Sequence, residues 1–336
     1  MEASTYPGNA PDTRDGGRVR ALLGRVAPEQ LGLSGMLVVA CVIISMQSPY
    51  FLQGENFANI GTAVAVSGVM AAFTTIVLIG GGLDLSLGAV LVLAGWAMAT
   101  ALDAGYTAGA AIAFALVVGA GCGLVNGLLI VGVGINPFIV TIGTQFAFRG
   151  ITYAWSGGGA KSTPVDDPTI VALGSDRLLG IPLPVYVLAG MFLLAFCLLR
   201  FTRFGSNVYA IGGNLAAARL AGVRVDRTRI LVYVLSALSA AVAGVLLIGI
   251  SGAAIPIAGQ GIELTVLAAV ILGGTALMGG RGTVVGTLLG VLLLGVINNG
   301  LTLLSAPSYW QMIVQGTALL IAVVFDEVRR KRKETR

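Results

Sequence analysis

Residues that could do chemistry are scarce in this chain, and their spacing excludes more than it allows. Histidine is absent from all 336 positions, so neither a Ser-His-Asp nor a Cys-His pair can be assembled. Cys41, Cys122 and Cys197 each lie inside an apolar run, far from one another. That spacing removes the usual zinc sites and a disulfide framework, and leaves three small apolar fillers. Gly157-Gly-Gly-Ala-Lys-Ser162 has the outline of a phosphate loop. Ala160 stands where that motif needs glycine before the lysine, and the preceding spacing is missing, so the segment reads as a flexible turn. The expectation is a chain without catalytic residues or a metal, not an enzyme, and unable to hydrolyse ATP by itself.

What remains is a set of polar groups within oily sequence. Asp84 sits in Gly80-Gly-Gly-Leu-Asp-Leu-Ser-Leu-Gly88 between two apolar runs. One reading is a broken helix whose backbone lines a cavity. The other is a simple turn in which Asp84 caps the next helix, with Ser86 in support. Asn136-Pro137 open another apolar run, and Arg149 lies about a dozen residues into it, snorkelling outward or facing a bundle interior. Glu263 opens a further span, Gly273-Gly274 lie near its end, and Asn298 and Asn299 fall mid-span in the next, facing other helices.

The elements that carry these groups are membrane helices. The sequence is 56% hydrophobic and 10% charged, whereas soluble domains carry about 25% charge. Charge-free runs cover 30–54, 56–83, 85–102, 104–148, 178–199, 230–262, 264–280 and 282–325. A crossing helix needs about 20 residues, so 104–148 and 282–325 are each long enough for a hairpin, turning near Gly132–Pro137 and Ser305–Ser308. The expected fold is an all-α polytopic membrane protein of ten spans, with 264–280 the shortest.

Lysine and arginine then orient the chain. Of 20 such residues, four lie at 14–25, six at 200–229 and six at 329–336. Six spans separate the first patch from the second and four separate the second from the third, so all three share the cytoplasmic side. The division is a cytoplasmic tail over 1–29, a membrane domain over 30–327 and a basic cytoplasmic tail over 328–336. Residues 1–29 lack the apolar core and cleavage site of a signal peptide. The net charge of +5 follows this sidedness, which points to lipid headgroups at the two termini and away from nucleic acid. The same parity puts 156–181 outside, as a docking surface or as an inert loop.

The cytoplasmic loop 201–229 differs from a plain charge run. Asn214 can cap a helix over Leu215–Ala221, and Gly222 can end it. Two turns of helix are not stable alone in water, so this one must dock, on the neighbouring spans or on a separate soluble protein.

These residues, in this order, resemble the permeases of sugar ABC importers of the ribose/xylose type. The resemblance rests on Gly81-Gly-Leu-Asp-Leu-Ser-Leu-Gly88, on Asn136-Pro-Phe-Ile-Val-Thr-Ile-Gly-Thr144 with Arg149-Gly150, and on Phe204–Asn214 followed by Ala217–Gly222. It continues through Glu263-Leu264, Ala268–Thr275, Gly279–Thr283, and Tyr309–Gln311 with Asp326. It implies an ABC importer permease fold that works as a pair with a second copy of itself. It also implies cytoplasmic ATP-binding subunits that carry the ATP and magnesium, and an external sugar-binding protein. This chain itself then binds no cofactor.

The resemblance makes Gly205, Asn207, Gly212, Gly213, Asn214, Ala217, Ala218, Arg219 and Gly222 the ATPase-coupling residues. Asp84, Ser86, Asn136, Pro137, Thr141, Arg149, Glu263, Gly273, Gly274, Asn298 and Asn299 become candidates for the pathway or its scaffold. Ala216 departs from the family, which commonly has glutamate there. The implied function is ATP-driven import of a monosaccharide or polyol. Branched-chain amino acid or nucleoside import by the same machinery is the near alternative. An ion-coupled secondary transporter is the distant one, with Asp84 its only candidate acid.

Overall fold

The computed structural model describes residues 28–334. Arg14, Arg18, Arg20 and Arg25 of the expected tail lie outside the described residues. The first half of the described chain forms α1 (Pro28–Gln47), α2 (Gly54–Ile79), α3 (Leu87–Asp103), α4 (Ala108–Val131) and α5 (Pro137–Trp155), then α6 (Pro168–Ser175) and α7 (Leu183–Phe201). The short helices α8 (Arg203–Gly213) and α9 (Leu215–Leu220) follow, and then α10 (Val225–Ser251), α11 (Ile262–Leu272), α12 (Val284–Leu303) and α13 (Ser308–Glu334). Six of these, α1, α2, α4, α7, α10 and α12, are long and apolar enough to cross a membrane. The chain is a polytopic membrane protein.

Cap residues at the edges of the apolar runs set where the helices begin. Thr107 accepts from Ala110 N at 3.4 Å before α4, Asn136 from Phe138 N at 2.9 Å before α5, and Thr283 from Gly286 N at 3.0 Å before α12. Each satisfies a backbone donor that a helix start leaves open. Pro137 at the first position of α5 needs no such partner.

Helices α2, α3 and α10 form the centre. Every residue from Leu87 to Ala99 of α3 is buried, and so is most of α2, while α1 lies at the edge. Lipid is as apolar as leucine, so close backbone approach between small residues has to hold such helices together. Gly119, Gly123 and Gly127 of α4 do this against α10. A Cβ on Gly123 would stand 2.6 Å from both Tyr233 O and Val234 Cα, and one on Gly127 would stand 3.0 Å from Ile230 Cα.

The expected hairpin turns fall where the residues indicated, between α4 and α5 and between α12 and α13. Several expectations need correction. The run 264–280 is not one helix: α11 has 11 residues, about 16 Å of rise against about 30 Å of hydrocarbon. Gly273 ends it, and Gly274, Gly279, Gly280 and Gly282 take positive φ in the chain that follows. The span set at 230–262 is instead Val225–Ser251, ending at Gly252 with φ 68°. The helix starts among Asp226, Arg227 and Arg229, where no uncharged run marks it. Asn298 and Asn299 lie in the final turns of α12 rather than mid-span. The basic stretch after residue 327 continues α13 as far as Glu334.

The segment 156–181 is also more ordered than a turn-rich loop. It pairs β1 (Thr163–Pro164) with β4 (Ala253–Ala254), and β2 (Arg177–Leu178) with β3 (Ile181–Pro182). Asp167 caps α6 by accepting from Thr169 N and Ile170 N at 2.9 and 3.2 Å. Gly174 of α6 packs against the backbone of Gly249 in α10.

Candidate functional site

The central polar loop folds as two helices, α8 and α9, where its residues indicated one. Thr202 starts α8, accepting from Gly205 N at 3.3 Å while its hydroxyl donates to Leu198 O at 2.6 Å. Asn214 is the expected cap of α9, accepting from Ala217 N at 3.0 Å. Gly222, with φ 77°, ends the turn after it. Gly205 is buried against the backbone of Leu198 and Leu199, which fixes α8 on the end of α7. Ala218 packs with Ile211 and Val225 in a small cluster of its own.

Other residues of the pair face outward. Gly213, Asn214, Leu215, Ala216, Ala217 and Arg219 are exposed, Asn207 is half-buried, and Leu220 is 91% exposed. Arg219 approaches Asp226 only to 3.7 Å, with both side chains open to solvent, so it remains available to a partner. Leu220 was not among the expected residues. Its signal is weak, since one leucine after Ala-Ala-Ala-Arg reads equally well as a core position.

The end of α8 meets two other segments through backbone atoms. Gly280 N donates to Ile79 O at 2.8 Å. A Cβ on Gly212 would collide with the Ile79 carbonyl and lie 2.6 Å from Gly280 N. One on Gly279 would stand 2.9 Å from Gly81 Cα. The end of α2, the end of α8 and the glycine turn after α11 therefore close on one another with no side chain between. Tyr209 adds a bond from α8, its hydroxyl donating to Gly282 O at 2.8 Å. Burial pushes the Tyr209 phenol up from its ordinary range, which keeps that proton on the donor.

Above this joint lies the break between α2 and α3, where Asp84 is buried at 3% exposure. Its Oδ1 accepts from Ser86 N at 3.0 Å and from Ser86 Oγ at 2.6 Å, and its Oδ2 accepts from Ser236 Oγ of α10 at 2.9 Å. Asn126 of α4 donates to Ser86 Oγ at 2.9 Å. The capping turn is thus overturned. Ser86 occupies the cap position of α3 with no side-chain cap bond, and Asp84 instead ties the broken helix to α10 and, through Ser86, to α4. Three donors on one carboxylate offset part of its desolvation. Asn126 and Ser236 escaped the sequence reading because single polar residues in apolar helices carry no motif.

A second polar group joins α5 to the start of α11. Glu263 is 7% exposed. Its Oε1 accepts from Gln145 Nε2 at 2.7 Å, and its Oε2 is buried against Gly88. Arg149 turns inward and donates from Nη1 to Ala258 O at 3.1 Å. Asn136, Pro137 and Thr141 shape the start of α5, with Thr141 returning a bond to Pro137 O at 2.9 Å. Gly273 lets α11 approach α12, where a Cβ would stand 2.5 Å from Gly286 O. Asn299 exchanges hydrogen bonds with Asn56 of α2 at 2.8 and 3.1 Å. Asn298 keeps a buried Oδ1 without a partner among the described residues. No group of three metal-binding side chains occurs among the described residues.

Known proteins resemble this chain over most of its length. The family described as "Branched-chain amino acid transport system / permease component" matches residues 56–324. The ribose import permease RbsC of Escherichia coli (strain K12) is 40% identical over 304 residues, covering 90% of this chain and 94% of that one. The ribose import permease RbsC of Bacillus subtilis (strain 168) is 40% identical over 298 residues, covering 89% and 92%. The L-arabinose transport system permease AraH of Escherichia coli (strain K12) is 37% identical over 304 residues, covering 90% and 92%. No solved structure matches the chain. The chain, a polytopic helical protein matched over most of its length, belongs to this family of transport permeases.

Proposed function

We propose that the chain is the membrane subunit of an ATP-driven importer for a monosaccharide, a pentose such as ribose or arabinose being the first choice. The observation that carries this is 40% identity, over 90% of the chain, to permeases that import ribose. The branched-chain amino acid reading is supported only by the wording of the wider family.

In this reading α1–α5, α7 and α10–α13 are ten crossings in a bacterial cytoplasmic membrane, with α11 completed by the glycine-rich turns of 273–283. Six precede the helix pair and four follow it. Both chain ends and α8–α9 then share the cytoplasmic side, while α6 and the two strand pairs lie outside. Ten crossings also agree with the basic residues at 200–229 and 329–336 sharing a side.

A second copy completes the pathway, a sugar-binding protein delivers substrate to the outer face, and ATP-binding subunits holding ATP and magnesium dock on α9. Chemistry on this chain is limited to position. Binding of ATP moves the docked α9, and the backbone joint at Gly212, Ile79 and Gly280 carries the movement to the break before α3 and the turn after α11. A movement transmitted through backbone contacts is not absorbed by side-chain rotation.

The test is reconstitution of the permease in nanodiscs with its ATPase and its external binding protein. Ribose or arabinose is expected to stimulate ATP turnover, and leucine to have no effect. Stimulation by leucine alone would reverse the choice of substrate. Turnover unaffected by any ligand of the binding protein would remove the importer reading.

A further inference from the structure

The hairpin Arg177–Pro182 combines features that internal packing does not explain. Its strands pair Arg177 with Pro182 and Leu178 with Ile181, so Leu179 and Gly180 form the turn. Both have positive φ, 52° and 80°. Turns of this kind favour asparagine, aspartate or glycine, because other residues press Cβ against the backbone. Leucine occupies the first position here and is 91% exposed. Leu178 and Ile181 beside it are exposed as well. A strained backbone that holds an apolar side chain in the open implies a contact outside the chain.

The hairpin is also held at a defined level. Arg177 Nη1 donates to Glu55 Oε2 at 2.8 Å, and Nη2 donates to Oε1, which fastens the base to the first turn of α2. Tyr186, in the first turn of α7, donates its hydroxyl to Leu178 O at 2.9 Å. Leu183 N donates to Asp176 O at 2.9 Å. Helices α2 and α7 are both long apolar spans, so the hairpin rests where two spans leave the hydrocarbon. Tyrosine is favoured at that level. In the adjoining corner between α1 and α2, Tyr50 and Leu52 are exposed too.

We propose that the tip Leu178–Ile181 is an interfacial anchor whose occupant is the lipid surface, with Leu179 seated among the headgroups and upper acyl chains. The tip offers only aliphatic side chains and no side-chain hydrogen bond donor or acceptor, which suits lipid better than a specific protein contact. The ion pair at its base faces the opposite need and stays in water. The inference rests on the membrane reading of α2 and α7 and is independent of the substrate.

The test uses Leu179→Cys in a Cys41→Ala, Cys122→Ala, Cys197→Ala background, labelled with bimane and reconstituted in phosphatidylcholine nanodiscs with no other protein. The same label at Lys161→Cys, an exposed position, is the aqueous reference. At position 179 the emission is expected to be blue-shifted and quenched by lipids brominated near the top of the acyl chain. Iodide should quench it several-fold less than the reference. Iodide quenching equal to the reference would overturn the proposal. So would shielding from iodide without bromolipid quenching, which marks a second copy over the tip, or shielding that appears only when a binding protein is added.

A second variant keeps the test independent of the cysteine background. Leu179→Asn suits the turn, so its thermal stability in detergent should equal or exceed wild type. Its gain on transfer to nanodiscs should be smaller. A gain equal to wild type counts against the anchor.

Discussion

Gly280 donates its backbone N–H to the carbonyl of Ile79 at 2.8 Å, fastening the glycine turn after α11 to the last residue of α2. Gly212 closes on the same point from α8. Three segments distant in sequence thus meet at bare backbone, at the junction of α8 with α9. Neighbouring glycines in this loop are therefore not equivalent, and substitution separates their roles.

Gly212→Val forces a side chain into the Ile79 carbonyl and should cost roughly 1–3 kcal/mol of stability, as overpacking does. Nothing lies within 4 Å of a Cβ on Gly213, so Gly213→Leu should unfold at the wild-type temperature. If an ATPase docks on this face, Gly213→Leu should still lose ligand-stimulated turnover. Thermal unfolding in detergent, paired with ATP turnover in the reconstituted complex, tests both. Normal stimulation in Gly213→Leu would move the docking surface elsewhere.

Leu220 makes a related case from the exposed end of α9. An apolar side chain 91% exposed suits a partner's apolar groove better than water. Leu220→Asp is expected to leave stability within about 0.5 kcal/mol, as for surface changes generally, while weakening association with the ATPase at least tenfold. Retention of the ATPase on the variant through gel filtration at low concentration would exclude Leu220 from the contact.

Asp84 tests whether the break before α3 is held by its carboxylate. Asp84→Ala strands the hydroxyls of Ser86 and Ser236 in a buried site, at about 1–3 kcal/mol for each group left without a partner. Asp84→Asn keeps one acceptor for Ser86 and offers its amide to the Ser236 oxygen, so it should lose less. The expected order of unfolding temperature is wild type, then Asp84→Asn, then Asp84→Ala. Equal losses in the two variants would mean that the hydrogen bonds to α10 and α4 do not hold the break.

The polytopic class and the hairpin turns were readable because charge is expensive in hydrocarbon, so uncharged runs mark apolar helices, and cap residues such as Asn136 and Asn214 mark starts. That logic fails where a helix begins among charges, as α10 does at Val225, and where an uncharged run is not helical, as after Leu272. The site was readable in part for a similar reason. Asp84, Arg149 and Glu263 stand out as isolated charges, while Ser236 and Gln145, which bond to Asp84 and Glu263, and Asn126, which bonds to Ser86, are ordinary residues that only the packing of α10, α5 and α4 brings there. Gly212 stood among the coupling residues and Gly280 within Gly279–Thr283, but their meeting at Ile79 had glycine as its only signal, in a chain with 49 glycines.

Glu55 and Arg177 supply a pH dependence. Protonation of Glu55 removes the charge to which both Arg177 nitrogens donate. The bond is therefore present while the carboxyl is ionised and is lost as acid protonates it. Both side chains are exposed, so the effect should be local rather than global. Hydrogen exchange or limited proteolysis of 176–182 should therefore rise as pH drops below about 4.5 in wild type. In Glu55→Gln the same signal should be high and flat across that window. A wild-type profile as flat as that of Glu55→Gln would show that the pair does not hold the hairpin.

The α4–α10 contact gives the clearest steric prediction, because two glycines in one helix differ only in what they face. A Cβ on Gly123 stands 2.6 Å from Tyr233 O and Val234 Cα, while one on Gly121 meets nothing within 4 Å. Backbone atoms of α10 cannot rotate away, so Gly123→Val must push the two helices apart. That movement would also stretch the bond from Asn126, one turn along α4, to Ser86, and disturb the break that Asp84 secures. Gly123→Val should cost roughly 1–3 kcal/mol or more, seen as a lower unfolding temperature and poor yield of dispersed protein. Gly121→Val, on the open face, should behave as wild type. Matched behaviour of the two variants would mean that close backbone approach does not hold α4 on α10.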